Sequence, residues 1–256
     1  MPQDAIAVQS DTTATLDAAL AASDDLVDRL KLIRSAIGGR IAFSTSLGLE
    51  DQAVLHAISA ANAAIDIFTL DTGRHFIETL ETVAASEARY GLKIRLVAPE
   101  ASEVPALTDR DGALGFRNSV AARKACCDVR KVRPLAKALS GASAWVTGLR
   151  REQAASRSAI PFAAFDRASG LVKLNPIADW SLDRLEAFIG EYGVPVNPLH
   201  ARGFPSIGCA TCTRAIKPGE DVRAGRWWWE QEGDAGAAQK ECGLHVVATP
   251  AAEARP

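Results

Sequence analysis

No stretch of this 256-residue sequence approaches the roughly 18 uninterrupted apolar residues of a membrane span, so nothing in it calls for a membrane partner. Excess charge is missing too. The 29 Lys and Arg against 31 Asp and Glu leave a formal −2, which gives no whole-molecule pull toward nucleic acid, so any anion site must be local. The opening residues, MPQDAIAVQSDTT, supply neither the basic n-region nor the apolar h-region of a secretory signal, and we expect a cytoplasmic protein. Cysteine is scarce. Five residues, an odd number in a compartment where thiols stay reduced, argue against a disulfide framework and suggest four ligands plus one reactive thiol. Neither a fixed-period repeat nor an extended low-complexity tract is present. The length suits one full core with a short functional tail.

What is there alternates strand and helix patterns. Residues 14–37 place Leu16, Leu20, Val27, Leu30, Ile33 and Ile37 at helical spacings, which predicts one helix ending at Gly38-Gly39. Residues 41–46 (IAFSTS), 65–70 (IDIFTL), 93–97 (KIRLV) and 144–148 (AWVTG) read as buried strands. Helical patterns follow the first at Val54, Leu55 and Ile58, and the second at Phe76, Ile77, Leu80 and Val83, with Gly91 near the end. A further helix spans 181–193, from Ser181 to Gly193. The pattern predicts an α/β fold, a mostly parallel sheet with helices on both faces and ligands at the carboxyl ends of its strands. After Pro205 the texture changes, with frequent Gly, Pro and Cys, a tryptophan run and a linker-like GDAGAAQ. We therefore expect a helical region at 1–40, a nucleotide- and ligand-binding α/β domain at 41–216 and a mobile C-terminal tail carrying a cysteine at 217–256.

Two strand-end turns are candidate sites. STSLGLED (44–51) presents hydroxyls and a glycine before a helix N-terminus, where phosphate is attracted, yet it lacks the Gly-Lys pair of a P-loop and equally suits an ordinary capped turn. LDTGRHFIET (70–79) repeats the arrangement, and its bland reading is an Asp-capped turn with a solvated Arg74. Cys209 and Cys212 form a C-x-x-C pair, which serves zinc, redox or iron–sulfur chemistry. With Cys126 and Cys127 they make four thiolates, and adjacent cysteines chelate tetrahedral zinc awkwardly, which favours an iron–sulfur cluster. These two sit in a basic stretch holding Arg117, Arg123, Lys124, Arg130, Lys131 and Arg133 against Asp128 alone, otherwise readable as a solvated helix face. In a helix, Lys131 lies one turn beyond Cys127 and would offset thiolate charge. Cys242 stands apart in KECGLHV, where a cationic pocket containing Arg223, Arg226 or a protonated His245 would activate it; a spare tail cysteine is the alternative. Trp227, Trp228 and Trp229 suit a hydrophobic anchor or an adenine stack, with core packing the commoner role. His56, His75 and His200 have no partner at metal-binding spacing and read as structural.

Together, STSLGLEDQ, LDTGRHFIET, KACCDVRKVRPL, TGLRREQAASRS, GCATCTR, RAGRWWW and ECGLH resemble the sulfonucleotide reductases, the adenylyl sulfate (APS) and phospho-APS (PAPS) reductases of sulfate assimilation. The resemblance runs from about Ile41 to Val246 and implies a fold like the adenine nucleotide alpha hydrolases. It implies that Cys126, Cys127, Cys209 and Cys212 hold one four-iron four-sulfur cluster, a feature of members that prefer APS. It further implies that Ser44, Thr45, Ser46 and Gly148 line the nucleotide pocket, and that Lys131, Arg223, Arg226 and His245 contact the phosphosulfate. Cys242 is then the nucleophile that forms an S-sulfocysteine, released as sulfite by thioredoxin or a similar dithiol. The alternatives are PAPS or dual specificity, with Arg150, Arg151 and Arg157 as candidate 3′-phosphate ligands, and more distantly a PP-loop tRNA sulfur transferase or a zinc-bearing nucleic-acid module. A homo-oligomer is compatible with all of these features.

Overall fold

The computed structural model describes residues 13–154, 157–230 and 242–244. Strands β1 (Ile41–Ser44), β2 (Asp66–Leu70), β3 (Arg95–Val97), β4 (Ala144–Val146), β5 (Ala163–Asp166) and β6 (Leu171–Leu174) form one sheet in the order β3-β2-β1-β4-β6-β5. All neighbours are parallel except the edge pair β5–β6. The hairpin β5–β6 was not expected from sequence; its turn closes at Gly170, whose φ of +70° needs no Cβ. Side chains alternate across the sheet as the two-residue period requires. Ile41 and Phe43 face one apolar cluster with Val146 and Leu174, whereas Ala42, Phe68 and Trp145 face a second.

The first cluster is covered by α1 (residues 13–21), α2 (Leu26–Ala36), α3 (Leu49–Ala60) and α8 (Leu182–Tyr192). The second is covered by α7 (Arg133–Leu139) through Leu135, Ala138 and Leu139. Helices α4 (Ile77–Tyr90), α5 (Glu103–Asp111) and α6 (Val120–Cys127) complete the chain order. The capping signals at α8 are realised: Ser181 accepts a hydrogen bond from Arg184 N–H, and Gly193 takes the left-handed conformation, as Gly91 does after α4. The single helix expected over 14–37 is instead two. Arg29, fully buried, marks the break: its Nε donates to the carbonyls of Leu20 and Ser23 where α1 stops, and its other nitrogens pair with Asp179 at 2.7 and 2.9 Å. Asp25 then caps α2 by accepting from Asp28 N–H. Among the described residues no helix is long and apolar enough to cross a membrane.

Candidate active site

The chain runs β1 to β2 to β3 in one direction and then returns to place β4 on the other side of β1, so a crevice opens at the carboxyl ends of β1 and β4. Ser44, Thr45, Ser46 and Gly148 meet there. Ser44 Oγ accepts from Trp145 Nε1 at 2.8 Å, tying the two strands, and Thr45 Oγ1 accepts from Leu47 N–H. Both the N–H and the hydroxyl of Ser46 donate to Asp51 Oδ2 at 2.6 Å. Gly148 is required by contact: a Cβ there would come within 2.3 Å of Asp51 Oδ1. Burial pushes the Asp51 carboxyl up to about 6, against the pull of the Ser46 hydrogen bonds. Beside it, Arg150 gives Nε and Nη2 to Glu50 and Nη1 to the Trp180 carbonyl. The crevice is thus an internally satisfied polar network.

The second centre lies where α6 ends. Ser119 caps α6 by accepting from Ala122 N–H, and the helix carries Cys126 and Cys127 in its last turn. A wide π-turn follows at Asp128–Val132 before α7 resumes. These two thiols line one cavity with Cys209 and Cys212. The C-x-x-C segment is fixed against β2's loop by the Ala210 N–H donating to Arg74 O, and Cys209 Sγ lies 3.4 Å from Thr72 Oγ1. Arg74, Arg123, Arg130, Lys131 and Arg226 line the same cavity. Among the described residues no three His, Cys, Asp or Glu groups converge as a single-ion site.

Opposed effects act on these groups. Burial raises the Cys127 thiol to about 12 despite Lys131, and raises Cys212 as well. Burial acts the same way on Cys209, yet the charge of Lys131, the Thr72 hydrogen bond, Arg226 and Arg74 together hold it below the ordinary thiol range. Burial also works against the charge on Lys131, but Cys209, Cys242 and Cys127 outweigh it and keep this lysine above its usual range. Three buried cation atoms, Arg74 Nη1, Arg130 Nε and Arg226 Nε, have no hydrogen-bond partner. Each of these arginines bonds elsewhere through another nitrogen, yet a buried donor without an acceptor is costly, so the wall keeps unmet hydrogen-bonding capacity of positive sign.

Known proteins resemble this chain over most of its length. Residues 40–215 match the phosphoadenosine phosphosulfate reductase domain. Proteins named adenosine 5'-phosphosulfate reductase from Agrobacterium fabrum and Allochromatium vinosum are 51% and 53% identical to the chain. They align over 92% and 80% of it, and over 88% and 78% of their own lengths. The chain belongs to the phosphoadenosine phosphosulfate reductase family. A crystal structure of a Candida auris phosphoadenylyl-sulfate reductase shares the fold, with a TM-score of 0.67 at 24% identity over 77% of this chain and 94% of that one.

In this member of the reductase family, the segment after Cys212 turns back onto the cavity. Trp227 N–H donates to Cys212 O, and Trp227, 1% exposed, lies between the guanidinium groups of Arg123 and Arg226 at 4.5 and 4.8 Å. Its φ of +45° is unusual for a non-glycine residue and lets consecutive side chains, Arg226 and Trp227, line the same cavity. Glu230 pairs with Arg123 at 2.8 and 3.0 Å, both side chains buried. Cys242, half-buried, packs against the cysteine cluster. Arg223 is partly buried and its N–H donates to Asp221, while His245 and the GDAGAAQ stretch lie outside the described residues. Of the tryptophans, Trp227 is core and Trp228 is 39% exposed beneath Arg117. His75 is structural as expected, bonded to Leu70 O.

Two bland readings need correction. Arg74 is not a solvated turn residue, because it stacks on Phe116 at 4.6 Å and lines the cavity. The basic stretch is not a solvated face either. Arg123 and Arg130 are buried, while Lys124 is exposed and Arg133 pairs outside with Asp128 and Glu103. Glu230 was missed altogether; its one sequence signal is an acid directly after the tryptophan run.

Proposed function

We propose that this chain is an adenylyl-sulfate reductase that converts APS to sulfite and AMP for cysteine biosynthesis in the cytoplasm, with Cys242 as nucleophile and thioredoxin or a similar dithiol as reductant. The observation carrying this reading is that Cys242 packs on the cluster holding Cys126, Cys209 and Cys212, beside a cavity lined by four thiols and Lys131. The names of relatives near 50% identity support APS as the substrate. The engagement of Arg150 with Glu50, Arg151 with Ile160 O and Arg157 with Gln153 also supports APS over PAPS, because those guanidinium groups already have partners.

Ser44, Thr45, Ser46 and Gly148 hold the nucleotide in the crevice, and Lys131, Arg223, Arg226 and His245 neutralise the phosphosulfate. The Cys242 thiolate attacks the sulfur of APS. The bond from that sulfur to the bridging phosphate oxygen breaks, AMP leaves with the electron pair, and S-sulfocysteine remains. A thiolate of the dithiol then attacks the Cys242 sulfur and sulfite leaves with the S–S electron pair. The second thiol resolves the mixed disulfide, so the dithiol is oxidised by two electrons. Cys126, Cys127, Cys209 and Cys212 would hold one four-iron four-sulfur cluster, supported by their place around one cavity and by the unpartnered arginine nitrogens beside them. When bound, that group supplies a compact anionic body against which Lys131 and its neighbours are set.

Anaerobically purified protein is expected to carry about four iron and four sulfide per chain; stoichiometric zinc without sulfide would overturn the cluster assignment. Mixed with APS and no reductant, the protein is expected to gain about 80 Da on the peptide containing Cys242, and thioredoxin should remove it. Cys242→Ser should keep its iron yet give no adduct and no sulfite, since a serine hydroxyl stays protonated near neutral pH. An adduct on another cysteine would refute the mechanism, and equal turnover of PAPS would refute the substrate preference.

A further inference from the structure

Residues 242–244 cross from one apolar cluster to another. Cys242 packs on the cluster around the cysteine cavity, with Phe116 and Trp227, whereas Leu244, two residues on, packs on the separate cluster of Phe68, Leu135 and Trp145 between the sheet and α7. Gly243, between them, has a φ of +87°, and a Cβ placed on it would lie 3.7 Å from Val132 at the end of the π-turn. The left-handed glycine therefore bends the chain over Val132, so that its two neighbours enter two different pockets. A thiol is a small apolar group and contributes little to its own seating, while a leucine side chain brings several times more apolar surface. The hold on this segment is thus on the side away from the reactive sulfur.

We infer that Leu244 is a positioning residue, an apolar latch whose seat beside α7 sets the Cys242 sulfur against the cysteine cavity and Lys131. The inference rests on the reading of Cys242 as nucleophile. The latch also separates the two half-reactions. Attack on APS needs the seated segment, whereas transfer of the sulfo group to a dithiol protein needs Cys242 accessible, so unlatching should slow the first step and spare the second.

The test compares the full-length, cluster-loaded wild type with Leu244→Ala and with Leu244→Met, which keeps most of the apolar volume. Alkylation of each cysteine by iodoacetamide is followed by peptide mass. In Leu244→Ala the rate at Cys242 alone should rise roughly tenfold, while Leu244→Met stays near wild type. In single turnover with APS, formation of the sulfo adduct should slow by a similar factor in Leu244→Ala, and its removal by thioredoxin should not slow. Wild-type alkylation and adduct rates in Leu244→Ala would overturn the latch, and so would a uniform rise at all five cysteines, which reports general loosening. If the wild type itself forms no adduct on Cys242, the assigned function fails, while the alkylation arm still judges the latch independently.

Discussion

The crevice at the ends of β1 and β4 and the cavity at the end of α6 have opposite electrostatics. In the crevice each charge has been answered within the chain: Asp51 by Ser46, Arg150 by Glu50 and Trp180 O. In the cavity, five cations surround four thiols and three of them keep a buried nitrogen without an acceptor. The crevice is a preformed shape whose charges are already settled among its own residues. The cavity is a set of charges held in place by the fold against their own repulsion, and the fold must supply the restraint. Arg123 shows how this is done, since it is stacked on Trp227 and paired with buried Glu230.

If the restraint lies in that pair, Glu230→Gln should be the most damaging of the substitutions that leave Cys242 intact. Removing the Glu230 carboxylate takes a buried ionic partner from Arg123, and a loss of about 3 kcal/mol is expected in urea unfolding. A loss below about 0.5 kcal/mol, usual for surface changes, would place the restraint elsewhere.

Lys131→Ala probes the same cavity from the reacting side. Its charge is opposed to Cys127, Cys209 and Cys242, so adduct formation from APS should slow roughly a hundredfold while iron content is kept. Unchanged single-turnover rates would assign Lys131 to structure alone.

The smallest effect belongs to the satisfied crevice and is visible only against pH. Asp51 holds its proton up to about 6 when folded, against 3.8 for an ordinary exposed aspartate. The folded state therefore binds that proton more tightly, and the stability it contributes is greatest below 3.8 and is lost as pH rises through about 6. Between about pH 4.5 and about pH 7.5 the wild type should lose roughly 2 kcal/mol more than Asp51→Asn, which has no proton to release. Parallel denaturant midpoints across that range would show that burial does not dominate at Asp51.

The difference between the two regions also governs what could be read in the sequence. Strands β1 to β4, the caps at Ser181, Gly91 and Gly193, and the positions of Ser44 to Ser46 and Gly148 at strand ends follow from local patterns, and the structure has them. The cavity depends on long-range contacts. Arg123 and Arg130 belong to a stretch whose composition suggests a solvated face; they are buried because Glu230 and the Thr72 carbonyl, far off in sequence, receive them. Arg74 looked like any turn arginine until Phe116 was placed beneath it. The break between α1 and α2 escaped for the same reason, since Arg29 finds Asp179 from across the chain. Local periodicity carries no information about such partners.

The π-turn at Asp128–Val132 also makes this stretch sensitive to length. Each residue of an α-helix turns the chain by about 100°, and a π-turn takes up one residue more than α winding over the same rotation. Deleting one residue here would therefore restore α winding with Leu135 and Leu139 still on the sheet and Cys126 and Cys127 still toward the cavity, whereas one further inserted residue would turn one of the two faces away by about 100°. The turn has already absorbed the spare residue, so tolerance of length in this segment should be one-sided: a single deletion accepted, an insertion not.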